Sequence, residues 1–539
     1  MHGRVKVRTS EEEKARKERE RQEKLKTFKY AMNKIQKKRK EGELDKELLE
    51  LTAKVLSSNP DIYTLWNVRR EILTAFRKYE CDINDELQAE MSNLYDAELQ
   101  LTEYCLKMNP KSYSAWHQRK WILTTRPDPD WQQELSVCNK YLKLDERNFL
   151  TWDYRRFVVS QSKPSLKDEF EFTTEKLHEN FSNYSAWHYR SKILVAMYPD
   201  LKGGQLITDS PMEEIRHKQE LKMVQSAAFT DPDDTSAWFY QRWLLGAVKR
   251  TCKLMACVVT PSKTTFAFSD PVVQTYITLL TRLSVNNVVI NGNWVPCTGS
   301  HSDVLWIYEH NEEITSGMQI EAFFESVTGI DTIEFVEEKP LIYVGKLHVD
   351  FSLKYSGPVI DELNNQLDSC RQLLALEPDN KWTLLTTTIF LYCIDGKKYH
   401  KEIVENLQTL KTIDKLRTGY YDYLITKWSV EQQLYDDCLK NGLELKINFE
   451  HKITSLPHLQ YYSYCETVDL SKQNLISCGL PSLILLPHCK KLNLENNKLT
   501  TLKGFPKLQL EELNLKGNEH LTTKEVEEFK EKRKFSVIF

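Results

Sequence analysis

NPKSYSAWHQR, at residues 109–119, is one copy of a phrase in which Asn or Asp is followed seven positions later by Trp and then by Arg. The phrase occurs five times in the first half of the chain. Its copies run from Asn59 to Trp66, from Asn109 to Trp116, from Asp145 to Trp152, from Asn180 to Trp187 and from Asp231 to Trp238. The Arg follows after three or four positions, as Arg69 and Arg70, Arg119, Arg155 and Arg156, Arg190, and Arg242. A repeated structural unit is therefore predicted here.

The spacing of the copies indicates what one unit contains. The Trp residues of the second, third and fourth copies are 36 and 35 residues apart, the length of two helices of about four turns with two short turns. The first and last steps are 50 and 51 residues. Polar or Gly- and Pro-containing stretches at 79–86 and 199–211 predict loop insertions that account for the difference. The sequence thus predicts an α-α superhelical solenoid of helical hairpins.

Each position of the phrase has a predicted structural role. The Asn or Asp is suited to end one helix or begin the next, and in three copies a Pro follows directly. Trp and Arg three or four residues apart share one helix face, so the indole packs against the next hairpin while the guanidinium reaches its carbonyls or carboxylates. We therefore interpret as structural residues of the repeat Trp66, Trp116, Trp152, Trp187, Trp238, Arg69, Arg119, Arg155 and Arg190.

Length and charge indicate several domains and an uneven charge distribution. A chain of 539 residues exceeds one ordinary core. The net charge is −3, but residues 1–40 hold 16 Lys or Arg against 6 Glu. The stretch from Lys14 to Lys40 predicts a solvated, charged helix leading into the first hairpin. Nucleic-acid binding is the alternative for this stretch, although few aromatic residues interleave its basic ones.

Composition argues against several classes of protein. The 12 Cys include no CxxC pair and no signal-peptide pattern begins the chain, which predicts a reduced, cytoplasmic protein. No apolar run reaches the ~18 residues that a membrane span needs. None of the 13 His falls at a recognisable metal-ligand spacing, and Walker-type and GxGxxG loops are absent. We therefore expect no metal or nucleotide site of the chain's own.

Residues 252–356 are predicted to form a β-sandwich inserted into the helical region. Period-two alternation marks the stretches 274–283, 287–295, 319–327 and 346–353. Helical periodicity resumes at Val359, and Trp382 ends a shortened echo of the phrase. The insertion is either a decoration without chemistry or a binding domain.

The last hundred residues carry a second repeat. Val468-Asp469-Leu470, Leu492-Asn493-Leu494 and Leu513-Asn514-Leu515 are spaced by 24 and 21 residues, and Asn497 and Asn518 follow the latter two. These features are typical of leucine-rich repeats, in which each LxL forms a short strand and the Asn bonds to backbone in the turn behind it. The predicted divisions are 1–40 (basic segment), 41–251 (helical repeats), 252–356 (β-sandwich), 357–440 (helical continuation) and 441–539 (leucine-rich repeats).

The Trp and Arg phrase on a mid-thirties period resembles the repeat of protein prenyltransferase alpha subunits. The closest segments are 109–119, 147–156 and 180–190, and the resemblance spans about residues 20–440. Tetratricopeptide repeats have the same length but lack an Arg tied to the Trp. In the type II branch of the family, some lineages carry an inserted immunoglobulin-like domain and terminal leucine-rich repeats, and this chain resembles that branch in both additions.

The resemblance implies a subunit of a heterodimeric enzyme. The helical hairpins would wrap around a beta subunit that holds a catalytic zinc and the lipid pocket, and zinc would activate a substrate cysteine as thiolate. The thiolate would displace diphosphate from geranylgeranyl diphosphate. The protein substrates would be Rab GTPases presented by a Rab escort protein, lipidated at C-terminal cysteines.

The resemblance also implies site residues in this chain. Lys111 and Tyr113 correspond to the family's Lys and Tyr that face the diphosphate, whose charge grows in the transition state. Phe149 stands where the farnesyltransferase pattern has a Tyr, so we interpret it as a packing residue. His2, in the basic terminus, is a candidate extra ligand to the partner's zinc.

Besides a nucleic-acid-binding repeat protein, which rests only on the basic N-terminal segment, two functions of different classes remain open on the residues alone. One is the prenyltransferase alpha subunit. The other is a non-catalytic solenoid adaptor, in which Lys111 would be replaceable and the chain would be stable without a partner.

Overall fold

The computed structural model describes residues 11–80, 85–199, 201–202, 205–206, 212–246, 248, 250–326, 329–437, 442–447, 449 and 451–539. The protein is mostly helical, with helical hairpins and a separate β-rich region. The chain divides into two compact units, Met1–Tyr189 and Arg190–Phe539, and each is described in turn.

The first unit consists of helices that follow one another as hairpins. They are α1 (Glu11–Glu41), α2 (Lys46–Ser58), α3 (Tyr63–Glu80), α4 (Asp85–Met108), α5 (Tyr113–Thr125), α6 (Trp131–Leu144), α7 (Phe149–Ser162), α8 (Leu166–Glu179) and α9 (Tyr184–Met197), the last of which continues beyond the unit. The charged helix predicted from Lys14 to Lys40 is confirmed as part of α1. Its last turn is tied down by Lys38, which forms ion pairs with three carboxylates of the next segment.

The Asn or Asp of every phrase, which we call the Asx position, ends the first helix of its hairpin. Its side-chain oxygen accepts a hydrogen bond from the backbone N–H two residues later, at 2.9 to 3.2 Å in all five copies. The second helix begins four residues after the Asx position, for example at Tyr113 after Asn109. This Asx turn gives an N–H of the connection between the two helices an acceptor, which favours a short side chain with a carbonyl or carboxylate oxygen at this position.

Helices of the second unit flank its β-rich region. Before it come a two-stranded hairpin, β1 (Leu201–Lys202) with β2 (Gln205–Leu206), and the pair α10 (Glu214–Thr230) and α11 (Thr235–Gly246). After it come α13 (Gly357–Leu376), α14 (Lys381–Asp395), α15 (His400–Ile413) and α16 (Thr418–Asp437).

The β-rich region, residues 254–346, is called the β unit below. It comprises β3 (Leu254–Val259), β4 (Lys263–Val273), α12 (Gln274–Leu280), β5 (Thr281–Val285), β6 (Val288–Val289), β7 (Gly292–Pro296), β8 (Ser302–His310), β9 (Ile320–Ser326), β10 (Gly329–Glu334), β11 (Val336–Lys339) and β12 (Ile342–Lys346). The strands form an antiparallel six-stranded sheet, β11-β12-β3-β4-β8-β7, and an antiparallel four-stranded sheet, β10-β9-β5-β6. Buried residues of both sheets, such as Phe266 and Phe324, form one core.

Two strands predicted from alternation are wrong. Residues 274–280 form helix α12, in which only Ile277 is buried, because the chain crosses there from one sheet to the other. Beyond Lys346 the predicted strand at 346–353 is an irregular connection, whose bond to β3 is from the Leu347 N–H to the Met255 carbonyl at 2.9 Å. Its alternation is real, since Val349 and Phe351 are buried, but Phe351 packs against Tyr435 of α16.

The C-terminal strands pair in parallel and in chain order, and we call residues 444–538 the ribbon. They are β13 (Glu444–Lys446), β14 (Thr467–Asp469), β15 (Lys491–Asn493), β16 (Glu512–Asn514) and β17 (Ser536–Ile538), with α17 (Thr523–Glu531) before the last. Asn497 donates to the Leu470 carbonyl at 2.8 Å and accepts from the Leu475 N–H at 3.1 Å, which links two successive turns. Asn518 repeats the arrangement one turn later.

The central strand β3 of the six-stranded sheet is buried on both faces. Leu254 and Val259 of β3 lie in the core shared with the four-stranded sheet. Met255 and Val258 lie instead among the leucines of the ribbon. A polar link, His488 Nε2 to Thr265 Oγ1 at 2.9 Å, joins the same two parts. The β unit and the ribbon therefore fold onto one another.

Candidate functional site

The five Trp residues of the phrase are interior side chains with a common hydrogen bond. Their exposures are 5% or less. Each indole Nε1 donates to the backbone carbonyl six residues earlier, in the Asx turn, at 2.7 to 3.0 Å. The buried indole thereby fixes the turn that precedes its own helix.

The Arg three residues after the Trp is buried in an ion pair with a Glu of the following hairpin. The pairs are Arg69 with Glu98, Arg119 with Glu134, Arg155 with Glu169, and Arg190 with Glu220. Each carboxylate accepts from two guanidinium nitrogens, at 2.8 and 2.6 Å for Glu134. Burial alone would lower the pKa of Arg119, but Glu134 holds it above its ordinary value.

These four Glu residues were missed by the sequence analysis. A signal was present, because each stands 18 positions before the Trp of its own hairpin. The residue two positions after that Trp donates to the same carboxylate. Tyr154, Tyr189 and Tyr240 do so at 2.7 to 2.9 Å, and Gln118 does so at 3.2 Å.

The fifth copy departs from this arrangement. Gln241 occupies the place of the paired Arg and donates to Gln366 at 2.8 Å. Arg242, one position later, lies over the rings of Phe239 and Trp382 at 4.6 and 5.2 Å, and burial lowers its pKa to about 10. The ion-paired pattern therefore ends with the fourth copy.

Lys111 and Tyr113 lie together at the turn between α4 and α5. The side chains of both are largely exposed, at 66% each. Lys111 Nζ is 3.9 Å from Asp145 Oδ2, and the Tyr113 ring centroid is 6.1 Å from that of Phe149. The structure thus brings Lys111, Tyr113 and Phe149 into one patch, in which Phe149 is itself half exposed rather than buried. His2 lies outside the described residues.

Exposed aromatic side chains recur at this position. The first residue of the second helix is Tyr63, Tyr113, Phe149 or Tyr184 in the first four copies, and each is exposed by half or more. Core packing does not explain this repetition. Regularly placed aromatic residues on a surface indicate an interaction site.

Adjacent turns of the first unit are hydrogen-bonded to each other. Asn148 caps α7, and its Nδ2 donates to the Pro110 carbonyl at 3.0 Å. The same carbonyl accepts from the Trp116 indole. Asn183 makes the equivalent bond to the Glu146 carbonyl at 2.8 Å. The side chains exposed at one turn are thereby held at a fixed distance from those of the next.

The patch has the chemistry of an anion-binding surface. Lys111 supplies a cation and Tyr113 a hydroxyl donor, and the exposed ion pair with Asp145 is long and worth at most about 1 kcal/mol. Among the described residues, no group of three or more His, Cys, Asp or Glu side chains is arranged to hold a metal ion. In the same part of the chain no helix is long and apolar enough to cross a membrane.

Comparison with known proteins gives consistent matches. The protein prenyltransferase alpha subunit repeat matches residues 45–76, 95–126, 131–162, 166–197 and 217–248, so each matched segment holds one Trp of the phrase. The chain is 36% identical over 533 residues to the geranylgeranyl transferase type-2 subunit alpha of Sus scrofa, covering 96% of this chain and 91% of that protein. Identity to the Mus musculus protein of the same name is 36% over 536 residues, with the same coverage. The Schizosaccharomyces pombe protein of that name is 41% identical over 254 residues, covering 46% of this chain and 71% of its own.

Proposed function

Because the chain belongs to the family of geranylgeranyl transferase type-2 alpha subunits, we propose that it pairs with a beta subunit and transfers geranylgeranyl from geranylgeranyl diphosphate to protein cysteines. The observation that carries this proposal is the identity of 36% sustained over 96% of the chain. The row of exposed aromatic residues at the hairpin turns supports it, since such a surface fits a protein partner.

We assign the reaction's catalytic zinc and lipid pocket to the beta subunit. The chemistry that zinc would supply there is Lewis acidity, which would hold the acceptor cysteine as a thiolate. The contribution of this chain is electrostatic. Lys111 donates hydrogen bonds to the departing diphosphate and stabilises its negative charge. The Tyr113 hydroxyl donates a further hydrogen bond. Both groups are preorganised, because the Asx turn and the buried Trp116 fix the backbone that carries them.

The acceptors in this proposal are Rab GTPases presented by a Rab escort protein. The negative charge of the chain outside residues 1–40 suits a basic partner surface. The β unit would be an immunoglobulin-like domain and the ribbon a leucine-rich repeat domain. Two features of the ribbon favour that assignment, namely strands that pair in parallel in chain order and Asn side chains that bond across turns.

The test is lipid transfer by the chain co-expressed with a type-2 beta subunit. Labelled geranylgeranyl diphosphate, a Rab and escort protein are supplied to wild type and to Lys111→Ala. We expect transfer by wild type and a rate lower by about one to three orders of magnitude in the variant.

Lys140→Ala is the matched control. Lys140 is also an exposed lysine in an ion pair, with Glu103 at 3.0 Å, but it lies within α6 rather than at a turn. Its variant should transfer at the wild-type rate. If the wild-type chain forms no complex and transfers no lipid, the enzyme assignment is wrong and the adaptor function replaces it.

A further inference from the structure

We propose that Arg147 is a second cation of the diphosphate site, acting beside Lys111. This inference rests on the proposed function, because it concerns the anion that Lys111 is proposed to bind. It starts from the two residues' equivalence in the repeat. Lys111 and Arg147 both stand two positions after the Asx residue, and the backbone N–H of each donates to that residue's side chain at 3.2 Å.

The turn itself does not require a basic residue at this position. Only the backbone N–H takes part in the Asx turn, so any side chain is compatible with it. The five copies carry Asp61, Lys111, Arg147, Ser182 and Asp233 there. Cations therefore occur in the second and third copies, which are neighbours. Asp61 is engaged otherwise, because its carboxylate accepts from Ser112 and Asn109 at 2.6 and 3.0 Å.

The two turns are held side by side. Asn148, next to Arg147, donates to the carbonyl of Pro110, next to Lys111. Asp145 Oδ2 lies 3.9 Å from Lys111 Nζ, while Asp145 Oδ1 accepts from the Arg147 N–H. The Tyr113 and Phe149 rings approach each other at the starts of the two helices. The side chains of Lys111 and Arg147 thus leave adjacent turns on one surface.

Arg147 has no structural role that would explain its side chain. It is exposed, and among the described residues its guanidinium has no hydrogen bond or ion pair. The basic residues of the repeat that serve packing behave differently: Arg119, for example, is 3% exposed and bonded to Glu134.

A diphosphate suits two cations better than one. Its charge is spread over two phosphoryl groups, and a guanidinium can donate two parallel hydrogen bonds to one of them, whereas an ammonium acts as a point charge. Asp145 and Glu146 are the carboxylates of the same turn. Asp145 faces Lys111, and Glu146 Oε1 accepts from Asn180 at 2.6 Å, which turns it toward the next hairpin. Arg147 therefore offers its charge to a ligand without competition from Glu146.

The experiment measures inhibition by inorganic diphosphate in the complex with the beta subunit. The variants are Arg147→Gln, Arg147→Lys and Lys111→Gln, and the control is Arg19→Gln, which removes an exposed cation from α1. We expect Arg147→Gln to raise the inhibition constant about ten- to a hundredfold, the range for losing hydrogen bonds to a charged group. Arg147→Lys should recover part of the loss, and the control should behave as wild type.

Three results would overturn the inference. If Lys111→Gln weakens inhibition and Arg147→Gln does not, Arg147 is no diphosphate ligand while the proposed function stands. If Arg147→Gln prevents assembly with the beta subunit, the residue serves the subunit interface instead. If both Gln variants leave inhibition and transfer unchanged, the diphosphate lies elsewhere and the site assigned to Lys111 is wrong as well.

Discussion

Arg119 and Glu134 form a two-point ion pair in the interior, and Tyr154 donates to the same carboxylate at 2.8 Å. The three side chains come from two successive hairpins, on α5, α6 and α7. Burial and the Glu134 charge raise the pKa of Tyr154, so it remains a hydrogen-bond donor. Glu134 is the member that the other two share, so its removal leaves the Tyr154 hydroxyl without this acceptor and the buried Arg119 charge with, among the described residues, only the neutral Leu99 carbonyl and Thr102 hydroxyl as acceptors.

Glu134→Ala should lower the free energy of unfolding by about 3–5 kcal/mol, because it leaves the Arg119 charge buried. The double variant Glu134→Ala with Arg119→Met should lower the free energy of unfolding by less than the sum of the two single variants. Chemical denaturation followed by circular dichroism measures both. The control is Asp153→Ala, which breaks the exposed pair with Arg156 and should cost about 1 kcal/mol or less. Equal losses for Asp153→Ala and Glu134→Ala would contradict the expectation.

Asn148→Ala should destabilise the first unit by about 1–3 kcal/mol, since it removes both the cap of α7 and the bond to the Pro110 carbonyl. Asn148→Asp should lower the free energy of unfolding by less, because its carboxylate still accepts from the Leu150 N–H. It can no longer donate to the Pro110 carbonyl. Thermal unfolding of the two variants distinguishes the contributions. If Asn148→Asp and Asn148→Ala lower the free energy of unfolding equally, the cap of α7 contributes nothing to stability.

Asp145→Asn should tighten the binding of inorganic diphosphate about two- to fivefold in the complex with the beta subunit. The amide keeps the oxygen that accepts from the Arg147 N–H, so the Asx turn is retained. The change removes only the negative charge 3.9 Å from Lys111, and an exposed pair of this kind is worth about 0–1 kcal/mol. Weaker binding would show that Asp145 orients Lys111 rather than competing for it.

The stability of the chain should fall on acidification, in part because of His488. Burial lowers its pKa to about 4, with Lys263 and Lys490 acting in the same direction and Glu466 against it. The unfolded chain takes up this proton below about pH 6.5, whereas the folded chain does so only near pH 4. The free energy of unfolding therefore drops between pH 6.5 and pH 4, by up to about 3 kcal/mol from this group, and no further below pH 4.

His488→Asn should make that decline shallower, and unfolding midpoints measured across this pH range test it. The decline should not vanish, because burial also lowers the pKa of His217 to about 4. Identical pH profiles for the variant and wild type would contradict the assignment to His488.

The helical hairpins were predictable because their signals are local. An Asx residue and a Trp seven positions apart act within a single turn, and the turn's hydrogen bonds need no distant partner. The Glu that pairs with each Arg is less predictable, because its distance from the Arg along the chain varies. Glu134 lies 15 residues after Arg119, but Glu98 lies 29 after Arg69, so the spacing is constant only when counted back from the next Trp.

The β unit was less predictable because tertiary contacts override local pattern. Residues 274–280 alternate and carry β-branched side chains, yet they form α12 at the crossing between sheets. The strand β3 is buried throughout, because it is covered by a second layer from the far end of the chain. Gln473 was overlooked for a similar reason: it stands in the ribbon where Asn497 and Asn518 stand, and accepts from the Ile453 N–H at 2.9 Å.

A shortened form of the chain cannot lose the ribbon alone. Without it, Met255 and Val258 and their neighbours on the outer face of the six-stranded sheet would become a hydrophobic surface prone to aggregation. Deletion of the β unit alone would uncover the facing leucines in the same way. The two segments are separated in sequence by four helices, yet a shortened chain that lacks one of them, engineered or inherited, stays free of such a surface only if it lacks the other as well.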